Sequence, residues 1–226
     1  MSKDIVVITG AGSGLGASIA VKMSEQGKHI CLLGRTKEKL ERTAGTLSGD
    51  SSIHVADITS KSNVKAVFQS IIEDYGTIDY LVNNAGAGIF KYAGEISEDE
   101  VDVMIDTNLK GTIYCTQAVL DTMQKENSGC IINIVSASGK VAKETESVYS
   151  ASKFGVRGFI EALTLELKGM DIQVLGAYMG NMETDLWNHS EMNSSYMDPD
   201  EVAEIILDNL KERNNMKVTD VTILNQ

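Results

Sequence analysis

Seven short apolar runs recur along the chain, at 4–9, 29–34, 52–56, 78–82, 130–135, 172–178 and 218–224. They are rich in Val and Ile and are bounded by Gly, Asp or Asn, so they are expected to be strands. Between them the apolar residues fall at every third or fourth position, which predicts helices over 17–26, 37–47, 60–75, 97–125 and 147–168. Asp198-Pro199-Asp200-Glu201 opens a last helix with a capping acid and a proline in the first turn. Strands alternating with helices from end to end predict an α/β fold. The expected form is a Rossmann-type, doubly wound parallel sheet of seven strands with helices on both faces.

Composition narrows the function more than the fold. A chain of 226 residues with 42% hydrophobic content can bury a sizeable core, and 20 Gly against 1 Pro points to tight turns rather than disorder. The net charge of −12 argues against nucleic acid and against an anionic membrane surface as partners. No apolar run approaches the length of a membrane span, and Met1-Ser2-Lys3-Asp4 leads directly into the first strand. Cys31, Cys115 and Cys130 lack CxxC spacing and are expected to be reduced core residues. His29, His54 and His189 are scattered, so no metal site is expected. The expected location is cytoplasmic.

The first strand ends in Thr9-Gly10, followed by Ser13-Gly14-Leu15-Gly16 and a helical pattern, giving a TGxxxGxG spacing. Strand, glycine turn and helix together bring backbone N–H groups to a pyrophosphate at a helix N-terminus. The second strand ends in Gly34-Arg35-Thr36. An acid there would hold the ribose 2′-hydroxyl of NAD; Gly with a following Arg suits the 2′-phosphate of NADP instead. Asp57 follows the third strand and could cap the next helix, contact an adenine, or both; capping alone is the simpler reading. Asn83-Asn84-Ala85-Gly86 closes the fourth strand with small residues and amides, which suits a ligand crevice at a strand's carboxyl end. Asn108 sits mid-helix, where Asn is unfavourable, as a tolerated surface residue or as a break at an active site.

The stretch from Ser147 to Lys168 carries the reactive pair. Tyr149 and Lys153 are four apart, one turn along one helix face. At ~4 Å and an effective dielectric near 20 their attraction is roughly 4 kcal/mol, enough to bring a tyrosine from ~10 towards ~7. A phenol titrating there is a good general acid/base.

These residues, in this order, resemble the short-chain dehydrogenase/reductase family in its compact single-domain branch, over essentially the whole chain. The resemblance implies one dinucleotide-binding and catalytic domain over 1–226, with a substrate lid at 187–197. It implies Ser136, Tyr149, Lys153 and Asn108 as the catalytic set, the serine being chosen over Ser138 by its distance from the tyrosine. Cofactor contacts are implied at Gly10, Ser13, Gly14, Leu15, Gly16, Arg35, Thr36, Asp57, Ile58, Asn84, Ala85, Gly86, Tyr149, Lys153, Gly180, Met182 and Thr184. The chain is loosely similar to NADP-dependent 3-hydroxy acid dehydrogenases and carbonyl reductases. That implies NADP(H), a small carbonyl or secondary alcohol substrate, and a homotetramer or homodimer. Met179-Gly180 stands where the family usually has Pro-Gly, and the C-terminus lacks the family's common glycine-rich end. A non-enzymatic NAD(P) sensor on the same fold is the alternative. An epimerase or dehydratase is disfavoured, since fewer than about fifty residues follow Thr184 where such enzymes carry a substrate domain. The substrate pocket is expected among 87–90, 140–144, Tyr178 and 182–197, with the charges around Lys140, Lys143, Glu144 and Glu146 nearly balanced in a solvated loop.

Overall fold

The computed structural model describes residues 3–182, 196–210 and 216–226. Its seven strands are β1 (Ile5–Thr9), β2 (His29–Gly34), β3 (Ser51–Val55), β4 (Tyr80–Asn83), β5 (Gly129–Ser136), β6 (Ile172–Met179) and β7 (Asp220–Ile223). They form one parallel sheet, as the alternating pattern predicts, and its strand order is β3-β2-β1-β4-β5-β6-β7. The order reverses at β1, which lies between β2 and β4. A crevice opens at that switch point, beyond the carboxyl ends of the strands.

The strands read as unbroken apolar runs because both faces of the sheet are covered. All five residues of β1 are buried. Ile5 and Val7 belong to a core layer with Phe68, Val119 and Ile160. These come from α3 (Lys61–Tyr75), α5 (Thr112–Glu126) and α6 (Ser147–Glu166). Val6 and Ile8 face the opposite layer, where Ile19, Met23, Val202 and Ile206 pack. Those side chains come from α1 (Gly14–Glu25) and α7 (Pro199–Asp208), with α2 (Lys37–Ala44) flanking. The three cysteines are free and buried, as expected. No helix among the described residues is long and apolar enough to cross a membrane.

One expected element is interrupted. In place of a single helix over 97–125 there is α4 (Glu98–Ile105), a π-helical turn (Asp106–Gly111), and then α5. Ser97 and Glu100 form a capping box at the start of α4, so the N-terminus behaves as the pattern implies. The wide turn carries Asn108. Inserted π turns of this kind are frequent at functional sites.

Candidate active site

The exits of β1 and β4 are stitched together before any ligand is considered. Thr9 Oγ1 accepts from the backbone N–H groups of Asn84 and Ala85, both at 3.0 Å, and donates to Val82 O at 3.3 Å. The Asn84 side-chain amide donates back to Thr9 O at 3.0 Å and Gly10 O at 3.2 Å. This leaves no room for a side chain at Gly10 or Gly16. Gly10 has φ +65, and a Cβ there would lie 2.9 Å from Ala85 Cα. A Cβ on Gly16 would lie 2.4 Å from Asn84 Nδ2 and 2.6 Å from Gly10 O. At the head of α1 the Ser13 side chain makes no capping bond, so the first-turn N–H groups have no side-chain partner there. Together these features form a backbone cradle at a helix N-terminus, which fits a pyrophosphate.

The cradle is one end of a cleft of about 420 Å³ whose walls also include Arg35, Asp57, Ser136, Tyr149, Lys153 and Met182. Nearly all the residues nominated from the sequence for cofactor contact line it. Gly16 does not, being turned into Asn84, and Thr184 lies outside the described residues. Most of the expected lid at 187–197 lies outside them as well.

Tyr149 and Lys153 share a face of α6 and are both buried. The Phe90 and Tyr149 rings pack edge to face, with centroids 5.3 Å apart. Lys153 Nζ lies 5.7 Å from the centroid of the Tyr149 ring and 3.4 Å from Ile134 O. Burial pushes the phenol up to about 12, against a lowering hydrogen bond with Ser136. Burial also brings the Lys153 ammonium down to about 8. The sequence expectation of a phenol drawn towards ~7 by its lysine is therefore not met by the protein alone. Desolvation is the largest influence on each group, raising the phenol and lowering the ammonium.

Asn108 is 1% exposed, which removes the surface reading. Its Nδ2 donates to Ala87 O at 2.8 Å and to Ser152 Oγ at 2.9 Å, and its Oδ1 accepts from Ala87 N at 2.8 Å. The π turn thus ties the β4 exit to α6 one residue before Lys153. Asn108 itself does not line the cleft. Ser136 does, and its Oγ accepts from Ser138 N at 3.1 Å.

A sequence model described as short chain dehydrogenase matches residues 4–194. This chain belongs to the short chain dehydrogenase family. It is 35% identical over 227 residues to an uncharacterized oxidoreductase of Staphylococcus aureus strain MW2, with 99% of this chain and 97% of that protein covered. An uncharacterized oxidoreductase of Staphylococcus epidermidis strain ATCC 12228 is 32% identical over 224 residues, with the same 99% and 97% covered. Among solved structures, an alcohol dehydrogenase from the archaeon Thermococcus sibiricus, complexed with 5-hydroxy-NADP, superposes with a TM-score of 0.90. It is 26% identical, with 98% of this chain and 96% of that one covered. A serine dehydrogenase in its closed form with NADP+ gives 0.91 at 29% identity, over 96% and 93% of the two chains.

Within this short chain dehydrogenase several side chains differ from their expected places. Asp57 does not cap α3: its Oδ1 accepts from Thr59 N and Thr59 Oγ1, both at 2.9 Å, while Ser60 caps by accepting from Asn63 N. The short turn frees Asp57 to line the cleft. Lys140 is not at the cleft, because its Nζ donates to Asp220 Oδ1 at 2.6 Å and Thr222 Oγ1 at 2.7 Å, above the Tyr178 ring. Tyr178 is core beneath it rather than pocket wall. The loop around Glu146 is not uniformly solvated either. Lys143 and Glu144 are exposed, but Glu146 is buried, lines the cleft and accepts from Ser138 Oγ. Lys39 and Asn181 also line the cleft, although nothing in their sequence neighbourhood marked them.

Proposed function

We propose that this oxidoreductase interconverts a carbonyl and a secondary alcohol with NADP(H), using Ser136, Tyr149 and Lys153. The observation that carries the reading is that these three side chains line the same cleft as the glycine cradle. A bound nicotinamide dinucleotide supplies the hydride donor or acceptor and, when oxidised, a positive charge. In the reducing direction the Tyr149 phenol gives its proton to the oxygen of the forming alcohol. A phenol held near 12 by burial keeps that proton until such charge develops. Ser136 holds the same oxygen by a hydrogen bond that strengthens as negative charge builds on it. Lys153 stabilises the phenolate left behind and holds the nicotinamide ribose, while Asn108 fixes the α6 turn from which Lys153 extends.

NADP is the proposed cofactor because Gly34 ends β2 where an acid would repel a 2′-phosphate. Arg35 and Thr36 line the cleft beside it and are exposed to receive that phosphate. Glu41, which could compete for Arg35, is paired with Lys37 at 3.2 Å.

The test is Tyr149→Phe. Turnover of a confirmed ketone or alcohol should fall by roughly 10²- to 10⁴-fold while NADPH still titrates the protein. Undiminished turnover would end the catalytic assignment.

Assembly into a homodimer or homotetramer belongs to the same reading. Met104, Val119, Val156, Ile160 and Leu163, on α4, α5 and α6, are core residues. Val103 on α4 and Phe154 and Leu165 on α6 remain exposed at 47%, 41% and 73%. They give α4 and α6 an apolar surface for a second copy. Light scattering at micromolar concentration should show no monomer, and a monomer alone would overturn this.

A further inference from the structure

Glu146 has no place in the chemistry above, yet it is 8% exposed, lines the cleft and lies three residues before Tyr149. A helical side chain leans back over the preceding turn, so Tyr149 and Glu146 are brought to one side of α6. The two are electrostatically coupled, the Glu146 charge opposing ionisation of the phenol. One carboxylate oxygen, Oε2, accepts from Ser138 Oγ. That hydroxyl is neutral, and among the described residues no cation pairs with Glu146. Lys140 is paired with Asp220 and Lys91 with Glu100, while Lys153, which lines the same cleft, donates to Ile134 O and is assigned above to the ribose and the phenol. Lys143 is exposed. The N-terminus of α6 contributes only about half a positive charge. A buried carboxylate is costly unless it is paired, and here the missing partner has one open direction, the cleft.

We propose that Glu146 is the anionic wall of the substrate subsite, and that the substrate carries a protonated amine close to its reacting carbon. This rests on the hydride-transfer reading and names its substrate class: β-amino alcohols and the matching α-amino ketones. The 3-hydroxy acids suggested by the sequence resemblance bring a second negative charge to the same wall.

The test uses three alcohols of one skeleton: 1-amino-2-propanol as the cation, 1,2-propanediol as the neutral analogue and lactate as the anion. Each is titrated calorimetrically into the full chain saturated with NADP+, so that turnover is not required. The amine should bind roughly 10- to 100-fold tighter than the diol, the range of a charge-assisted contact, and lactate weakest. In E146Q the three affinities should fall within about threefold of one another, with NADPH titration confirming a folded protein. Glu146→Asp should keep part of the preference. Ser138→Ala, which breaks the internal hydrogen bond and leaves the charge, should keep most of it. The proposal is overturned if the diol or lactate matches the amine in wild type, if the amine shows no binding, or if E146Q leaves the preference intact. It is overturned equally if Ser138→Ala abolishes the preference as fully as E146Q, since Glu146 would then act only by holding the turn. Failure of Tyr149→Phe to reduce turnover is a separate result, which removes the catalytic reading without touching these affinities.

Discussion

Two strand exits line the same cleft and bring main chain to its wall by opposite means. At the β1 exit side chains are missing: Gly10 and Gly16 stand where any Cβ would meet backbone or the Asn84 amide. At the β6 exit a side chain is added from the far end of the sequence. Asn225 Oδ1 accepts from Asn181 N at 2.8 Å, and its Nδ2 donates to Asn181 O at 2.9 Å. Asn181 O also accepts from Met197 N at 3.1 Å, and Gly180 N donates to Ile223 O at 2.9 Å. One wall is fixed by steric exclusion against Asn84 and Ala85, which are themselves bonded to Thr9 from another segment of the chain. The other is fixed by reciprocal hydrogen bonds between segments more than forty positions apart. Exclusion is rigid, whereas a pair of hydrogen bonds is worth about 1–3 kcal/mol net. The first exit is therefore expected to tolerate change less than the second.

Breaking the steric wall should have the largest effect on this comparison. Gly16→Ala forces a Cβ to within 2.4 Å of Asn84 Nδ2 and 2.6 Å of Gly10 O. Either the helix start moves or Asn84 gives up its two bonds to the turn. The combined cost is roughly 3–5 kcal/mol from overpacking and lost hydrogen bonds. It should appear as a fall in Tm of ~10 °C and a loss of NADPH binding of at least ~100-fold. A variant that melts and titrates like wild type would show that the turn is not held by exclusion.

The same contrast explains what the sequence disclosed. Local devices were legible: the strand runs, the glycine turn, the α7 cap with Pro199, and Tyr149 with Lys153 one turn apart. Their signals are carried by neighbours in the chain, even where, as at the glycine turn, the contacts that require them are not. Long-range partners were not. Nothing near Asn225 in the sequence indicates that it meets Asn181, and nothing near Glu146 distinguishes it from exposed Glu144. The phenol shows the same limit in energetic form. The spacing of Tyr149 and Lys153 indicates one shared helix face, but the burial that shifts both groups comes from packing that the local sequence does not show, Phe90 against Tyr149 included. Asn108 was legible only in part. Its unsuitability for a helix was visible, while its partners Ala87 and Ser152 came from two other segments.

A smaller effect is expected at the Arg35 end of the glycine wall, where the proposed contact is by charge rather than by backbone. Arg35→Ala should weaken NADPH roughly 10- to 100-fold, the worth of one charge-assisted hydrogen bond, and leave NADH within about twofold. Parallel fluorescence titrations of both cofactors check it. Equal losses for the two would mean that Arg35 supports the fold of the β2 exit rather than a 2′-phosphate.

The smallest effect is expected at the hydrogen-bonded wall. Asn225→Ala removes both reciprocal bonds to Asn181 and should weaken NADPH about tenfold, with a Tm lowered by only a few degrees. Gly180→Ala approaches the same joint from the other side, since its Cβ would lie 2.3 Å from Asn225 Oδ1. The atom met is the end of a side chain, so it can swing away at little cost beyond its own hydrogen bonds. That differs from Gly16, whose Cβ would lie 2.6 Å from backbone, against 3.3 Å for the nearest backbone atom at Gly180. Gly180→Ala should therefore reproduce the Asn225→Ala loss, and the double variant should be no worse than either single one. In a double-mutant cycle the coupling should nearly equal one single-variant loss, well above the ~0.5 kcal/mol seen for independent sites. Simple additivity of the two losses would mean that Asn225 does not act through the β6 exit, and the two walls would then no longer differ in kind.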